Sequence, residues 1–238
     1  MTSGIGLAQV ILHNRSHPDC IQRNDIFCPG WAFDNIDRYV HPALQHVVLV
    51  LASVGIGFAI AFTLALLAHR YRPLTTPFLA ATGILYTIPS IAFFFLLLPI
   101  TGRGRTTAII ALTAFTLQII YRNVTTGLNN VPPDIRDAGS GMGLTRRQLL
   151  WRVELPLALP EIIAGLRVAT VSTVAIATLA VFVNGGGLGT EIYSAGRLTF
   201  KTGIILAGGL AVAMALVFDL ILVTFQRYAT PWQRAAES

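Results

Sequence analysis

Asp137 to Pro156 reads DAGSGMGLTRRQLLWRVELP, a polar, arginine-bearing stretch set between runs apolar enough to live in lipid. In such a chain, a loop of that composition has to be a contact surface. Pro132, Pro133 and Asp134 start a short helix, because a first-turn proline is preset for it and its missing N–H is not needed there. Gly139, Gly141 and Gly143 are then expected to break that helix, since glycine adopts turn angles cheaply. Thr145 with Gln148 three residues on spells a capping box, so a second short helix should run from about Arg146 to Arg152 until Pro156 stops it. Residues 132–156 are thus expected to form helix, turn and helix outside the membrane.

Charged residues make up 12% of the 238 and hydrophobic ones 54%, with a mean hydropathy of +0.66. A soluble domain carries about 25% charge. So much apolar surface cannot be hidden in water by a chain of this size, and it reads as an all-α, polytopic membrane protein of one domain. The formal charge of +6 comes from 17 Lys and Arg scattered among apolar runs. With no platform of aromatic and basic residues, nucleic acid is excluded in favour of lipid headgroups and a partner protein. Cys20 and Cys28 have no metal-ligand spacing around them, which leaves a disulfide or two free thiols, and an exposed pair outside the cell is bridged. Met1 to Val10 lacks the basic start and long apolar run of a signal peptide.

The expected organisation is an extracytoplasmic segment 1–42, a transmembrane body 43–228 and a cytoplasmic tail 229–238. An apolar patch at Ile5 to Leu12 suits a short interfacial helix. Val47 to Ala68 is free of charge, and at ~1.5 Å per residue it spans the ~30 Å hydrocarbon core. Leu74 to Thr101 is a second such run, in which Pro89 should kink or unwind the helix. Broken backbone at membrane depth is tolerated only against protein or a watery path, so Tyr86, Thr87, Pro89 and Ser90 are candidates for a translocation route, the alternative being a plain kink in a packed bundle. Thr106 to Tyr121 is a third crossing, ended by Arg122. Ile162 to Val183 is a fourth, with Arg167 about one turn above its start and free to snorkel to the interface. Asn184 to Gly189 is a glycine-rich turn, Glu191 to Lys201 a short external helix, and Thr202 to Phe225 the fifth crossing.

Asp219 is the one acid inside a crossing. Counted from Thr202 it lies ~26 Å along the helix, near one surface. It reads either as a proton or cation site or as an interfacial acid paired with an arginine such as Arg70 or Arg122, and the position favours the second. The chain shows no Walker A sequence, HExxH, zinc-type Cys/His cluster or GxSxG elbow, so no enzyme, metal or cofactor is expected.

The loop resembles that of ABC-importer permeases, written Glu-Ala-Ala, three residues, Gly, nine residues, Ile-any-Leu-Pro. Asp137, Ala138 and Gly139 stand at Glu-Ala-Ala, Gly143 follows after three, and Val153 to Pro156 follow after nine. The continuation RRQLLWRVELPLALPEIIAGLR is similar to the osmoprotectant branch, and the likeness runs from about Val47 to Phe225. The resemblance implies that Asp137, Ala138, Gly139, Gly143, Leu144, Arg146 and Pro156 couple the chain to an ATP-binding subunit. It also implies a second permease subunit, homologous or identical, and an extracytoplasmic substrate-binding protein. Glycine betaine, choline or carnitine would be the solute, with another small solute or a stand-alone carrier as rivals. Aromatic faces at membrane depth, Tyr86, Phe93, Phe115, Tyr121 and Phe182, could hold a quaternary ammonium, with Phe182 added to the route residues.

If the loop faces the cytoplasm, five crossings put the amino terminus outside. Arg70, Arg72, Arg122, Arg136, Arg146, Arg147, Arg152, Arg167, Arg227 and Arg234 are then inside, against Arg15, Arg23, Arg38, Arg103, Arg105, Arg197 and Lys201 outside. That bias has the sign expected of inner loops, and orientation rests mainly on the loop motif.

Overall fold

Leu74 to Thr101 does not fold as one rod. In the computed structural model, which describes residue 20 and residues 23–232, helices α3 (Thr75–Thr87) and α4 (Ser90–Thr101) meet at 98°. The amide of Pro89 cannot donate, and Ile88 is extended at φ −68°, ψ 126°, so the ladder stops there as the sequence predicts. Upstream lie α1 (Pro29–Asp34) and α2 (Asp37–Arg70), and a 3-10 turn Arg72–Leu74 leads into α3. Downstream come α5 (Arg105–Asn129), α6 (Pro133–Gly141), α7 (Arg146–Leu149), α8 (Leu155–Ala177), α9 (Leu188–Arg197) and α10 (Lys201–Ala229). Among the described residues four rods are long and apolar enough to cross a membrane: α2, α5, the continuous stretch Arg146–Val183 containing α8, and α10. The bent pair, taken as one span, makes a fifth. It begins beside Tyr121, whose hydroxyl donates to Thr75 O, and ends beside the glycine corner, where Gly104 N donates to Val183 O.

Several boundaries move from their expected places. α2 starts ten residues before Val47 and carries Pro42 within it, because Tyr39 is buried against Leu188 and Ala207 and draws the helix upward. α5 does not end at Arg122 but runs on to Asn129 with Arg122 exposed, since a long side chain on the outer face need not terminate a helix. The short external helix begins at Leu188, earlier than expected, directly after Gly186 and Gly187 at φ 83° and 89°. The interfacial patch expected at Ile5 to Leu12 lies outside the described residues.

The core is a three-rod stack of α2, α5 and α8. Ala61, Ala65 and Ala68 of α2 pack with Ile120, Val124 and Leu128 of α5 and Ala158 and Ile162 of α8, while Leu49, Val50 and Val54 meet Ala108, Ala111, Leu112, Val174 and Ala177 toward the other end. Residues of the amino-terminal segment are pinned to the start of α10. Cys28 N donates to Thr202 Oγ1 at 3.0 Å, Asn24 bridges Thr199 O and Lys201 N, and Trp31 meets Phe200 edge-on at 4.8 Å.

His46 is fully buried inside α2 and closes one end of the stack. Its Nδ1 accepts from Leu188 N–H at 3.2 Å, so Nε2 carries the proton and donates to Val174 O at 3.0 Å. Gln45 Oε1 accepts from Gly187 N–H at 3.1 Å beside it. The pair satisfies the glycine corner where no water reaches. Replacing His46 by Leu strands a buried N–H, for which ~1–3 kcal/mol is typical, and we expect a lower thermal midpoint for the detergent-purified protein, whereas His46→Gln, with a donor and an acceptor, should recover part of it.

Candidate functional site

The loop between the third and fourth crossings takes a shape fixed by its own hydrogen bonds. α6 runs unbroken through Gly139 and Gly141, contrary to the expectation that both would break it; only Gly143 has a positive φ, at 80°. Leu144 N donates to Gly139 O and Gly143 N to Ser140 O, the paired bonds that close a helix on a left-handed residue. Gly139 is buried because Leu149 lies against it: a Cβ there would meet Leu149 Cδ1 at 2.6 Å. The Thr145 and Gln148 capping box is present and starts α7.

α7 does not end at Pro156. After Leu149 the chain makes a π turn, Leu150–Glu154, in which the amide of Leu155 reaches back five residues to Leu150 O. The wider turn accommodates the proline ring and its missing donor, and α8 continues from it into the membrane. Loop and fourth crossing are therefore one continuous helical lever from Arg146 to Val183. On the loop surface Asp137, Ala138 and Arg146 are exposed together with Ile135, Met142 (75% exposed) and Trp151 (54%), while Leu144 and Pro156 are partly covered.

Beneath that surface sits Glu154, only 5% exposed, at the position the loop pattern leaves free. Its Oε2 meets His69 Nε2 at 2.9 Å, and its Oε1 lies 2.7 Å from Arg136 Nε in an ion contact that is not aligned as a hydrogen bond. Arg136 also donates to Leu128 O. One carboxylate thus ties the end of α2, the end of α5 and α6 to the lever. Sequence reasoning missed all three residues; an acid beside Leu155-Pro156 in an arginine-rich loop was the available signal.

At the helix break, Tyr86 and Phe93 both meet the Phe115 ring edge-on, at 6.4 and 5.7 Å, and Thr87 Oγ1 caps Ile84 O. Pro89 O accepts from Phe93 N, with Ser90 opening α4. Phe182 is not with them: it packs against Phe95 and, at 5.6 Å, Tyr193 of α9. Tyr121 is buried, its hydroxyl spent on Thr75 O. Cys20 and Cys28 are joined, their Cα atoms 6.2 Å apart.

Asp219 pairs with neither Arg70 nor Arg122. Arg167 holds it, Nε to Oδ1 at 2.9 Å and Nη2 to Oδ2 at 3.1 Å, so Arg167 does not snorkel. Its neighbour Phe218 shares a crevice with Leu166, Val54, Gly55 and Phe58 of the stack, and the first turns of α10 pack beside Tyr39 through Ala207.

A model of the family described as the binding-protein-dependent transport system inner membrane component matches residues 45–235. The chain belongs to that family. It is 36% identical over 207 residues to the osmoprotectant import permease protein OsmW of Salmonella typhimurium, covering 84% of this chain and 96% of that one. It is likewise 36% identical over 188 residues to the glycine betaine/carnitine/choline transport system permease protein OpuCD of Bacillus subtilis, covering 79% and 82%. Among solved structures it resembles a chain of the inward-facing MetNI methionine ABC transporter, with a TM-score of 0.72, 24% identity and coverage of 81% and 96%, a likeness of fold. This family chain is a multi-pass permease component of the inner membrane, working with a binding protein.

Removing one member of a buried ion network leaves the others uncompensated, typically ~3 kcal/mol. We expect Glu154→Leu to lower the thermal midpoint of the purified protein and to loosen the loop, read as faster protease nicking between Pro133 and Trp151; unchanged nicking would remove Glu154 from the lever.

Proposed function

We propose that this chain is the permease subunit of an ATP-driven importer of osmoprotectants, quaternary ammonium solutes such as glycine betaine, choline or carnitine. The observation that carries the coupling role is the loop at 132–156, whose motif residues stand in register and which exposes Ile135, Met142 and Trp151 as well as Asp137. A loop that leaves large apolar side chains exposed among charged ones suits a protein groove rather than water. The solute class is supported by the names of relatives about a third identical along most of their length.

In this reading two permease subunits, identical or homologous, sit on two ATP-binding subunits and receive solute from an external binding protein. The loop faces the cytoplasm, the amino terminus with its Cys20–Cys28 link lies outside, and the carboxyl terminus is inside. ATP binding draws the two ATPase subunits together, each presses on Asp137 to Arg152, and the continuous stretch Arg146–Val183 carries that displacement to membrane depth. The bundle then rocks between inward-open and outward-open packings of similar energy, and the motor biases the choice. The break at Ile88 and Pro89, with Tyr86, Thr87 and Ser90, lines the moving path.

Reconstituted with its ATPase and binding protein, the complex should hydrolyse ATP faster when the binding protein carries glycine betaine; stimulation only by an unrelated solute such as an amino acid would reassign the cargo. Gly143→Val places a β-branched residue at φ 80°, for which ~1–2 kcal/mol of strain is typical, and should weaken ATPase docking several-fold in pull-down while membrane insertion is kept. Asp137→Lys reverses a contact charge and should lower solute moved per ATP; wild-type stoichiometry there would take Asp137 out of the contact.

A further inference from the structure

Arg167 and Asp219 face each other across a groove of about 880 Å³ between α8 and α10. Each donates or accepts twice in a fork-on-fork pair, yet about a third of each side chain, 31% and 34%, is left uncovered. Charge within a membrane-spanning helix faces the bundle interior or a watery cavity far more often than lipid chains. The groove is otherwise largely apolar, walled by Val168, Val171, Val212 and Leu216, with Ser172 and Thr178 as further polar groups. α10 supplies one wall and has little cover elsewhere, only 11% of its most apolar window being buried. An ion pair on that wall is placed to meet something that arrives.

We propose that the Arg167–Asp219 pair is a solute-holding site on the transport path, specific for a small zwitterion bearing a quaternary ammonium and a carboxylate. The inference deepens the osmoprotectant reading and rests on it. The cation of the solute takes the place of the guanidinium at the Asp219 carboxylate, and the carboxylate of the solute takes the place of Asp219 on the Arg167 fork. Two ion pairs replace one pair and one solvated zwitterion, so the site is neutral both empty and filled and no charge is buried unpaired. A planar guanidinium binds a carboxylate through two parallel N–H bonds, which a lysine cannot reproduce. A quaternary ammonium has no N–H to satisfy, so its methyl groups rest against valine and leucine without loss. A solute with a cation alone would open the pair and strand Arg167, which makes the site discriminate against choline and for betaines.

The test uses the whole complex, permease with ATPase and binding protein, in lipid vesicles. Uptake of labelled glycine betaine and of choline is compared for wild type, Arg167→Lys and the double variant Arg167→Leu with Asp219→Leu. Receptor-stimulated ATP hydrolysis is measured beside it, as is binding of labelled glycine betaine to the receptor-free complex in detergent. Arg167→Lys keeps both charges, and the double variant replaces the pair by apolar groups of similar size, a change buried pairs tolerate. In both variants we expect glycine betaine uptake to fall at least tenfold, choline uptake to hold, and betaine binding to disappear. Unchanged betaine uptake and binding overturns the site. Equal loss for both solutes, hydrolysis that no longer needs the receptor, or failure of both variants to assemble marks the pair as a structural clip and overturns it as well. A wild-type complex that neither responds to nor carries betaine refutes the osmoprotectant reading itself, an outcome distinct from wild-type uptake that the variants leave untouched.

Discussion

Close approach of α2, α5 and α8 is the constraint on which the rest of the molecule depends. In lipid no hydrophobic force drives helices together, so association rests on van der Waals fit and on internal satisfaction of polar groups. Small residues make the fit. Gly57 lies so near Thr116 that no Cβ could stand between them, and Gly127 lies against Ala158 at a distance a side chain would fill. Around them Ala61, Ala65, Ala68, Ala108 and Ala111 let the rods meet along their whole length. Threonines in the stack return their hydroxyls to their own helices, as Thr173 does to Ala169 O, or reach across, as Thr113 does to Ser53 O.

Two polar clips stand at opposite ends of that stack. His46 holds the glycine corner through two hydrogen bonds to two different elements, and Glu154 holds the loop through a histidine and an arginine from two more. Between them the rod Arg146–Val183 is continuous, because a π turn absorbs Pro156 where a break would have left the loop hinged. The bent pair α3 and α4 and the thinly covered α10 lie outside the stack.

Alternation of long uncharged runs with basic turns located every crossing, since a ~30 Å apolar slab admits few alternatives. The kink at Pro89 and the capping box at Thr145 were equally legible, being local consequences of a missing donor and of a side chain in reach of its own backbone. Ends were read less well. Arg122 looked like a terminus and is a mid-helix residue, and Gly139 looked like a breaker and is a packing position under Leu149. Charge and glycine content report what a residue tolerates, and neighbours decide which tolerance is used.

By itself the sequence determined a five-rod membrane chain, the break in its second rod and the motif-bearing loop, all set by properties carried within a few consecutive residues. Only the tertiary structure decided that His69, Arg136 and Glu154 form one clip, that Phe182 stands apart from Tyr86, and that Asp219 meets Arg167. Those pairings join residues up to 85 positions apart, and hydropathy counted along one helix has no access to them; they are set by how the helices pack, as where Tyr39 is buried against Leu188 and Ala207.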